Sequence, residues 1–270
     1  MYLNINLQCG DCVELMRTLP DECVDLTVTS PPYDNLRKYN GFSFDFEAVA
    51  KELYRITKPG GVVVWVVGDA TVNGSETGTS FRQALFFKDI GFNLHDTMIY
   101  DKGACQYPSF NRYYQSFEYM FVFSKGKVKT FNPIQDRKNV RSGKKISGKE
   151  RQRNSSLHER SGTRNGRTIK EYGFRYNVWK ISPGYGKSSL DKYAYEHPAI
   201  FPEQLAGDHI VSWSNKGDVV FDPFLGSGTT GKMAVLNERN FIGFELDPTY
   251  FEICKRRIND TLAVMGESHD

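Results

Sequence analysis

Residues 217–254, GDVVFDPFLGSGTTGKMAVLNERNFIGFELDPTYFEIC, carry the pattern that decides the fold. Val219 to Phe221 reads as a short β-branched strand ending at Asp222, and Thr229 to Leu236 as the helix that follows. Gly226 and Gly228 fill the turn between them, where the missing Cβ lets backbone approach a ligand and the helix start offers unpaired N–H groups. A second strand, Phe241 to Phe244, ends in Glu245, 19 residues beyond Gly226. An acidic side chain at that spacing is placed to hold the two hydroxyls of a ribose. The full dinucleotide fingerprint is absent, and no Gly-Lys-Ser or Gly-Lys-Thr follows to bind a triphosphate. The loop therefore fits a nucleoside-containing cofactor without a pyrophosphate. A last helix is expected over Pro248 to Ala263.

Upstream, the same alternation continues. A helix over Asp11 to Leu19 is stopped by Pro20, and Val24 to Thr29 forms a strand closed by Ser30-Pro31-Pro32-Tyr33. Phe46 to Ile56 predicts an amphipathic helix closed by Lys58-Pro59-Gly60-Gly61, and Val62 to Val67 a strand apolar on both faces. Further elements are expected at Phe81 to Ile90 (helix), Leu94 to Tyr100 and Tyr119 to Ser124 (strands), and Pro202 to Ser214 (helix). Strands alternating with helices argue an α/β fold with a mainly parallel sheet.

The Ser30–Tyr33 loop is the second chemical feature. Two successive prolines fix φ and remove two donors, so the carbonyls of Ser30 and Pro31 remain as acceptors beside the Ser30 hydroxyl. Tyr33 adds a flat face with a polar tip. Acceptors converging beside an aromatic plate suit an exocyclic amino group on a stacked base.

Charge is distributed unevenly. The 270 residues carry 35 basic and 32 acidic side chains, yet Lys125 to Arg175 holds 16 Lys or Arg against four acids. That segment is +12 and the rest of the chain −9. Asn139 to Asn165 is rich in Ser, Gly, Arg and Lys and cannot bury enough surface alone to offset its ordering entropy. It reads either as a solvated loop or as an insertion that binds a polyanion, since phosphates attract Lys and Arg and release counterions. With 39% apolar and 25% charged residues the chain is long enough for a sizeable core and is not globally disordered. The longest apolar run, Gly60 to Gly68, is far too short to span a bilayer, and MYLNINLQCGDC lacks the layout of a signal peptide. Five cysteines without framework spacing suit reduced thiols, so a cytoplasmic location is expected.

SPPY together with DPFLGSGTT resembles the amino-methyltransferases of DNA, which move a methyl group from S-adenosylmethionine to an exocyclic base nitrogen. The order of SPPY, basic segment and cofactor loop is similar to the circularly permuted beta group of that family. GDCVELMRTLPDECVDLTVTSPPY (10–33), KPGGVVVWVVGD (58–69), FEYMFVFSKG (117–126) and HPAIFPEQL (197–205) resemble further family blocks, so the likeness covers most of the chain. It implies a Rossmann-like methyltransferase fold, with residues 1–124 and 177–270 as catalytic and cofactor domain and 125–176 as a basic target-recognition region.

The resemblance also assigns roles. Ser30, Pro31, Pro32 and Tyr33 match the catalytic tetrapeptide, in which Ser30 and the Pro31 carbonyl accept from the target amine and Tyr33 stacks on the base. Asp222, Pro223, Phe224, Gly226, Ser227, Gly228, Thr229 and Thr230 match the loop around the methionine part of S-adenosylmethionine, with Asp222 taking its ammonium. Glu245 matches the ribose ligand and Leu246 lies near the adenine. Asp11, with Cys12 beside it, matches the acceptor for the adenine amine. Phe201 stands where many relatives have lysine and offers an aromatic wall instead. Lys144, Lys145, Arg151, Arg153, Arg160, Arg164 and Arg167 are the expected DNA contacts. The partner implied is double-stranded DNA, from which the base must be flipped. The family often dimerises, and a separately encoded restriction nuclease, or solitary or phage-type action, is left open.

Members with Ser before Pro-Pro-Tyr mostly act on cytosine at N4 and those with Asp mostly on adenine, so Ser30 favours cytosine-N4, with adenine-N6 as the alternative. RNA or a protein amide is a more distant alternative substrate. No metal is expected: Cys9 and Cys12 lack a second ligand pair and read as packing thiols. His197 reads as a structural hydrogen bonder, and Asn73-Gly74-Ser75 as a mobile loop over cofactor or DNA. Among Tyr107, Phe110, Tyr113, Tyr114 and Phe117 most are expected in the core, with one or two stacking on the base.

Overall fold

The computed structural model describes residues 3–32, 45–103, 110–146, 149–151, 157–159 and 166–267, with backbone only at 149–151, 157–159 and 267. The chain divides into two compact units, Met1–Asn132 with Asn177–Asp270, and Pro133–Tyr176.

In the large unit β1 (Ile5–Cys9), β2 (Val24–Thr29), β3 (Thr57–Val67), β4 (Asn93–Asp101), β5 (Phe117–Ser124), β6 (Val178–Lys180), β7 (Val219–Asp222) and β8 (Asn240–Glu245) form one sheet. Its order is β1-β8-β7-β2-β3-β5-β4-β6, and of these strands only β5 runs antiparallel to its neighbours. The helices are α1 (Cys12–Arg17), α2 (Phe46–Ile56), α3 (Thr79–Asp89), α4 (Glu203–Trp213), α5 (Thr229–Leu236) and α6 (Pro248–Glu267). This is the α/β architecture with a mainly parallel sheet that the alternation predicts.

Burial follows the sequence pattern. Val62 to Val67 are all buried, as a strand covered on both faces must be. Val63, Trp65 and Val67 join Phe121 and Phe123 in the core that α1, α2 and α3 close. On the opposite face Met120 meets His209 of α4, with 3.2 Å between Sδ and Nε2. α2 buries Val49, Ala50, Leu53 and Ile56 at helical spacing and is capped by Asp45, which accepts from the Ala48 N–H at 3.1 Å. Arg55 of α2 donates to the Met16 and Leu19 carbonyls at 2.7 and 2.9 Å, satisfying acceptors that α1 leaves open at its end.

Several expectations change. Lys58-Pro59-Gly60-Gly61 closes α2 as expected but also belongs to β3, which begins five residues before Val62: Val24 pairs with Thr57 and Leu26 with Val62, and a bulge absorbs Pro59 and the glycines, Gly60 with a φ of 82°. The segment is held in the sheet because Gly60 and Gly61 exchange backbone hydrogen bonds with Lys125, and Gly60 accepts from Lys129. The same bonds tie residues 125–132 to the large unit, so the second unit begins eight residues later than 125. Asn73-Gly74 is the tip of a hairpin pairing Thr71–Val72 with Ser75–Glu76, both tip residues having positive φ (51° and 79°). Phe110, Tyr113 and Tyr114 are exposed rather than core, and Phe117 is half-buried against Tyr119; Tyr107 lies outside the described residues.

The small unit contains ladders the composition does not announce. Arg137–Lys138 pairs with Tyr172–Gly173, and Lys149–Arg151 with Leu157–Glu159. Arg175 donates from Nε to Asp136 at 2.8 Å, and the Arg137 guanidinium lies 4.7 Å from the Tyr176 ring centre. At its two borders, on the large-unit side, Asn132 donates from Nδ2 to the Val211 and Ser214 carbonyls, and Asn177 from Nδ2 to Asp96.

A buried charge cluster ties α6 to the loop before α5. Arg257 is fully buried and donates from Nε to Asp191 (2.7 Å), from Nη1 to the Ser227 carbonyl (3.1 Å) and Thr229 (2.9 Å), and from Nη2 to Ser189 (2.8 Å) and Glu203. Lys232 adds bonds to Asp191 (2.8 Å) and Glu203 (3.0 Å). Burial raises the Asp191 carboxyl, but the two cations outweigh it and hold that group below its ordinary range. Removing Arg257 leaves two carboxylates sharing one cation, so Arg257→Leu is expected to cost on the order of 3–5 kcal/mol in urea denaturation. Arg257→Lys, which lacks the fork, is expected to recover only part of that loss.

Candidate active site

The site lies at the carboxyl ends of β2 and β7. These strands are neighbours, Val220 beside Leu26 and Phe221 beside Thr27, and the connections leave them in opposite directions, toward β3 from one and β8 from the other. That is the topological switch point at which an open α/β sheet leaves a crevice. The two loops are bonded to each other: Thr29 donates from Oγ1 to Asp222 Oδ1 at 2.6 Å, and Thr230 to the Val28 carbonyl at 3.2 Å.

A cavity of about 200 Å³ opens there. From the sequence-derived set its wall contains Asp11, Cys12, Ser30, Pro32, Phe201, Asp222, Pro223 and Phe224, and also Gly226, Ser227, Thr229, Thr230, Glu245 and Leu246. Two expected residues are not on the wall. Pro31 is buried beside it, and Gly228 faces α6, where a Cβ would sit 2.8 Å from that of Cys254. Helix packing and its φ of 82° thus both require glycine at 228. Tyr33 lies outside the described residues.

The acidic groups are prepared by the backbone. Glu245 accepts from the Gly226 N–H at Oε2 (2.7 Å) and the Asp247 N–H at Oε1 (2.9 Å), which spans the glycine loop and leaves each oxygen further acceptor capacity. Burial raises its carboxyl, opposed by those N–H groups. Asp222 is 4% exposed and accepts from Thr29 and from the Phe224 N–H at 3.0 Å. Burial outweighs these bonds and pushes its carboxyl up to about 6. Asp11 is the N-cap of α1, taking the Val13 and Glu14 N–H groups at 2.9 and 3.0 Å, both on Oδ1. Cys12 is buried, and its thiol is pushed up to about 12 chiefly by that burial, so it serves as wall rather than nucleophile.

Other wall residues carried no expected ligand contact. His197 packs its ring against Gly226 and edge-on to Tyr250, with ring centres 4.4 Å apart, while Nδ1 lies 2.8 Å from the Ala199 carbonyl. It is the hydrogen bonder expected, but also part of the cavity. Tyr100 and Glu118, at the ends of β4 and β5, join Ser30 and Pro32 on the wall. The FEYMF stretch marked these strands, but nothing local shows which of their side chains turns toward the crevice.

In the small unit, described by itself, backbone pairing brings together three expected DNA contacts. Lys144–Ile146 lies across from Arg167–Ile169, with bonds from Ile146 to Arg167 and from Ile169 to Lys144, and the side chains of Lys144, Lys145 and Arg167 are exposed. Arg151 is described in backbone alone, and Arg153, Arg160 and Arg164 lie outside the described residues.

Comparison with known proteins follows this geometry. The family described as DNA methylase matches residues 24–256. The orphan methyltransferase M.BamHII of Bacillus amyloliquefaciens is 59% identical over 248 residues, 91% of this chain and 92% of its own. Among solved structures, the DNA modification methylase TTHA0409 of Thermus thermophilus, in complex with S-adenosyl-L-methionine, superposes with a TM-score of 0.61 at 25% identity over 95% of both chains. The cytosine-N4-specific PvuII DNA methyltransferase shares the fold, with a TM-score of 0.67 at 23% identity over 96% of this chain and 92% of its own.

The raised Asp222 carboxyl has a measurable consequence. Its folded value, about 6, exceeds the ordinary 3.8, so the stability it contributes is complete below 3.8 and lost as pH rises through 6. Asp222→Asn is therefore expected to be more stable than wild type at pH 7.5, by at most about 3 kcal/mol, with the difference shrinking by pH 5. Urea denaturation at the two pH values checks this.

Proposed function

Because the chain belongs to the DNA methylase family, a family of DNA amino-methyltransferases, we propose that it methylates N4 of a cytosine flipped out of duplex DNA at a specific sequence. The observation that carries the reading is the shared cavity in which the Ser30–Pro32 loop and the glycine loop meet across neighbouring strands. An amine acceptor and a cofactor cradle on one wall are what a direct transfer between two bound molecules requires.

S-adenosylmethionine is the methyl donor, and the residues present fit it: the glycine loop at Gly226 on the cavity wall, a buried carboxylate at Asp222, and Glu245 with spare acceptor capacity. When bound, it supplies a methyl group on a positively charged sulfur that departs as a neutral thioether. Asp222 holds the ammonium, which favours its ionised form again. Glu245 holds the ribose hydroxyls, Asp11 accepts from the adenine amine, and Leu246 and Phe201 supply apolar and aromatic walls. Ser30 and the Pro31 carbonyl accept hydrogen bonds from the target amine, which draw its lone pair out of conjugation with the ring. Tyr33 stacks on the base. Positioning carries the rate, since the leaving group is already cationic. Ser30 in place of Asp before Pro-Pro-Tyr supports cytosine-N4 over adenine-N6. The small unit, Pro133–Tyr176, forms the target-recognition region.

Digestion to nucleosides of DNA from cells expressing the protein, with mass spectrometry, tests the reaction: N4-methylcytosine is expected. N6-methyladenine would replace the base and keep the mechanism, and neither mark would redirect the search to RNA or a protein amide. Replacing Lys144, Lys145 and Arg167 by Gln is expected to weaken DNA binding and to flatten the slope of log K against log salt by about 2–3. An unaltered slope would take this ladder off the DNA.

A further inference from the structure

The cavity wall holds one polar group that the reaction as described leaves unused. Tyr100, next to last in β4, is 3% exposed, and its hydroxyl has no hydrogen-bond partner among the described residues. Buried tyrosine hydroxyls ordinarily find partners, because an unpaired polar group in a low-dielectric interior is destabilising. The residue that carries it lines the same wall as Ser30 and Pro32. Directly across the ladder from it is Glu118, whose carboxylate is engaged by Lys102 at 3.2 Å. Burial first, and the Glu118 charge second, raise the phenol far above its ordinary range, so the group stays protonated and able to donate.

We propose that the Tyr100 hydroxyl donates a hydrogen bond to the ring-acceptor edge of the flipped base. This rests on the reading of the site given above and adds a base-contacting residue to it. The argument is one of complementarity. The Ser30–Pro32 side of the cavity is made of acceptors and suits an exocyclic amine. Beside that amine, cytosine presents two further acceptors in a row, N3 and O2, and no donor. A wall that binds the whole edge therefore needs a donor next to its acceptors. Tyr100, which lines that wall, carries a protonated hydroxyl, and Glu118, an acceptor, is paired with Lys102 through Oε1. Adenine presents only N1 beside its amine, followed by a C–H, so a donor aimed at the second acceptor position favours the pyrimidine.

The test is Tyr100→Phe, which removes one oxygen and keeps the ring that fills the wall. Three quantities are read: affinity for S-adenosylmethionine, the urea unfolding midpoint, and kcat/KM for methyl transfer to genomic DNA from cells lacking the enzyme. Unchanged cofactor affinity, a midpoint equal to or above wild type, and a kcat/KM reduced about tenfold or more are expected, since deleting an orphan hydroxyl relieves the folded protein while depriving the bound base. A midpoint that falls together with activity would make Tyr100 a structural residue and overturn the proposal. Wild-type kcat/KM in the variant would overturn it as well. A wild-type protein that transfers no methyl to DNA would instead defeat the reading of the site, and the two failures are told apart by the unmutated enzyme.

Discussion

The site depends on a guanidinium that never meets solvent. Arg257 uses all five of its N–H groups, and its partners come from three separate stretches: the glycine loop, the segment around Ser189–Asp191 and the first turn of α4. With Lys232 it makes a cluster of two cations and two carboxylates with no net charge. Each member is costly to bury alone and tolerable only with the others in place. The glycine loop, which has few side chains of its own to anchor it, is thereby held from behind by an ionic lattice, while its front remains open to a ligand.

In front of that lattice the chemistry follows from sheet topology. β2 and β7 are neighbours whose chains leave in opposite directions, so their two loops diverge and a crevice forms between them without any hollowing of the core. The Thr29–Asp222 bond fixes the distance between the two halves. It also holds Asp222 in a dry position where its own charge is unfavourable, a condition that a bound cation relieves. The same residue is thus a liability to the free protein and, on the reading proposed above, an anchor for the occupied one.

Most of this was legible before any coordinates. The elements of 217–254 were readable because turn chemistry and periodicity agree there, and the loop residues Asp222, Gly226 and Glu245 followed from them. What was not legible depends on contacts distant in sequence. Pro59-Gly60-Gly61 reads as the stop after a helix, yet backbone bonds with Lys125 and Lys129 also bring it into β3. Gly228 reads as part of the cofactor loop, and nothing near it in sequence announces that Cys254 of α6 also requires its missing Cβ. Arg257 looks like one of several surface cations in a helix, and Tyr100 like any strand aromatic; only tertiary placement distinguishes them. The ladders in the basic segment escaped for a related reason: composition reports how much apolar surface is available, whereas short strands pair through backbone groups that every sequence possesses.

The two asparagines at the borders of the 133–176 unit extend this separation of roles. Asn132 grips the end of α4 and Asn177 grips β4, each through a side-chain amide bonded within the large unit. The body that carries the cavity thus has side-chain hydrogen bonds of its own at both exits. On the reading proposed above, in which the interval between them recognises the target, a change within that interval leaves these two anchors standing, and recognition is free to change over evolutionary time faster than the reaction it serves.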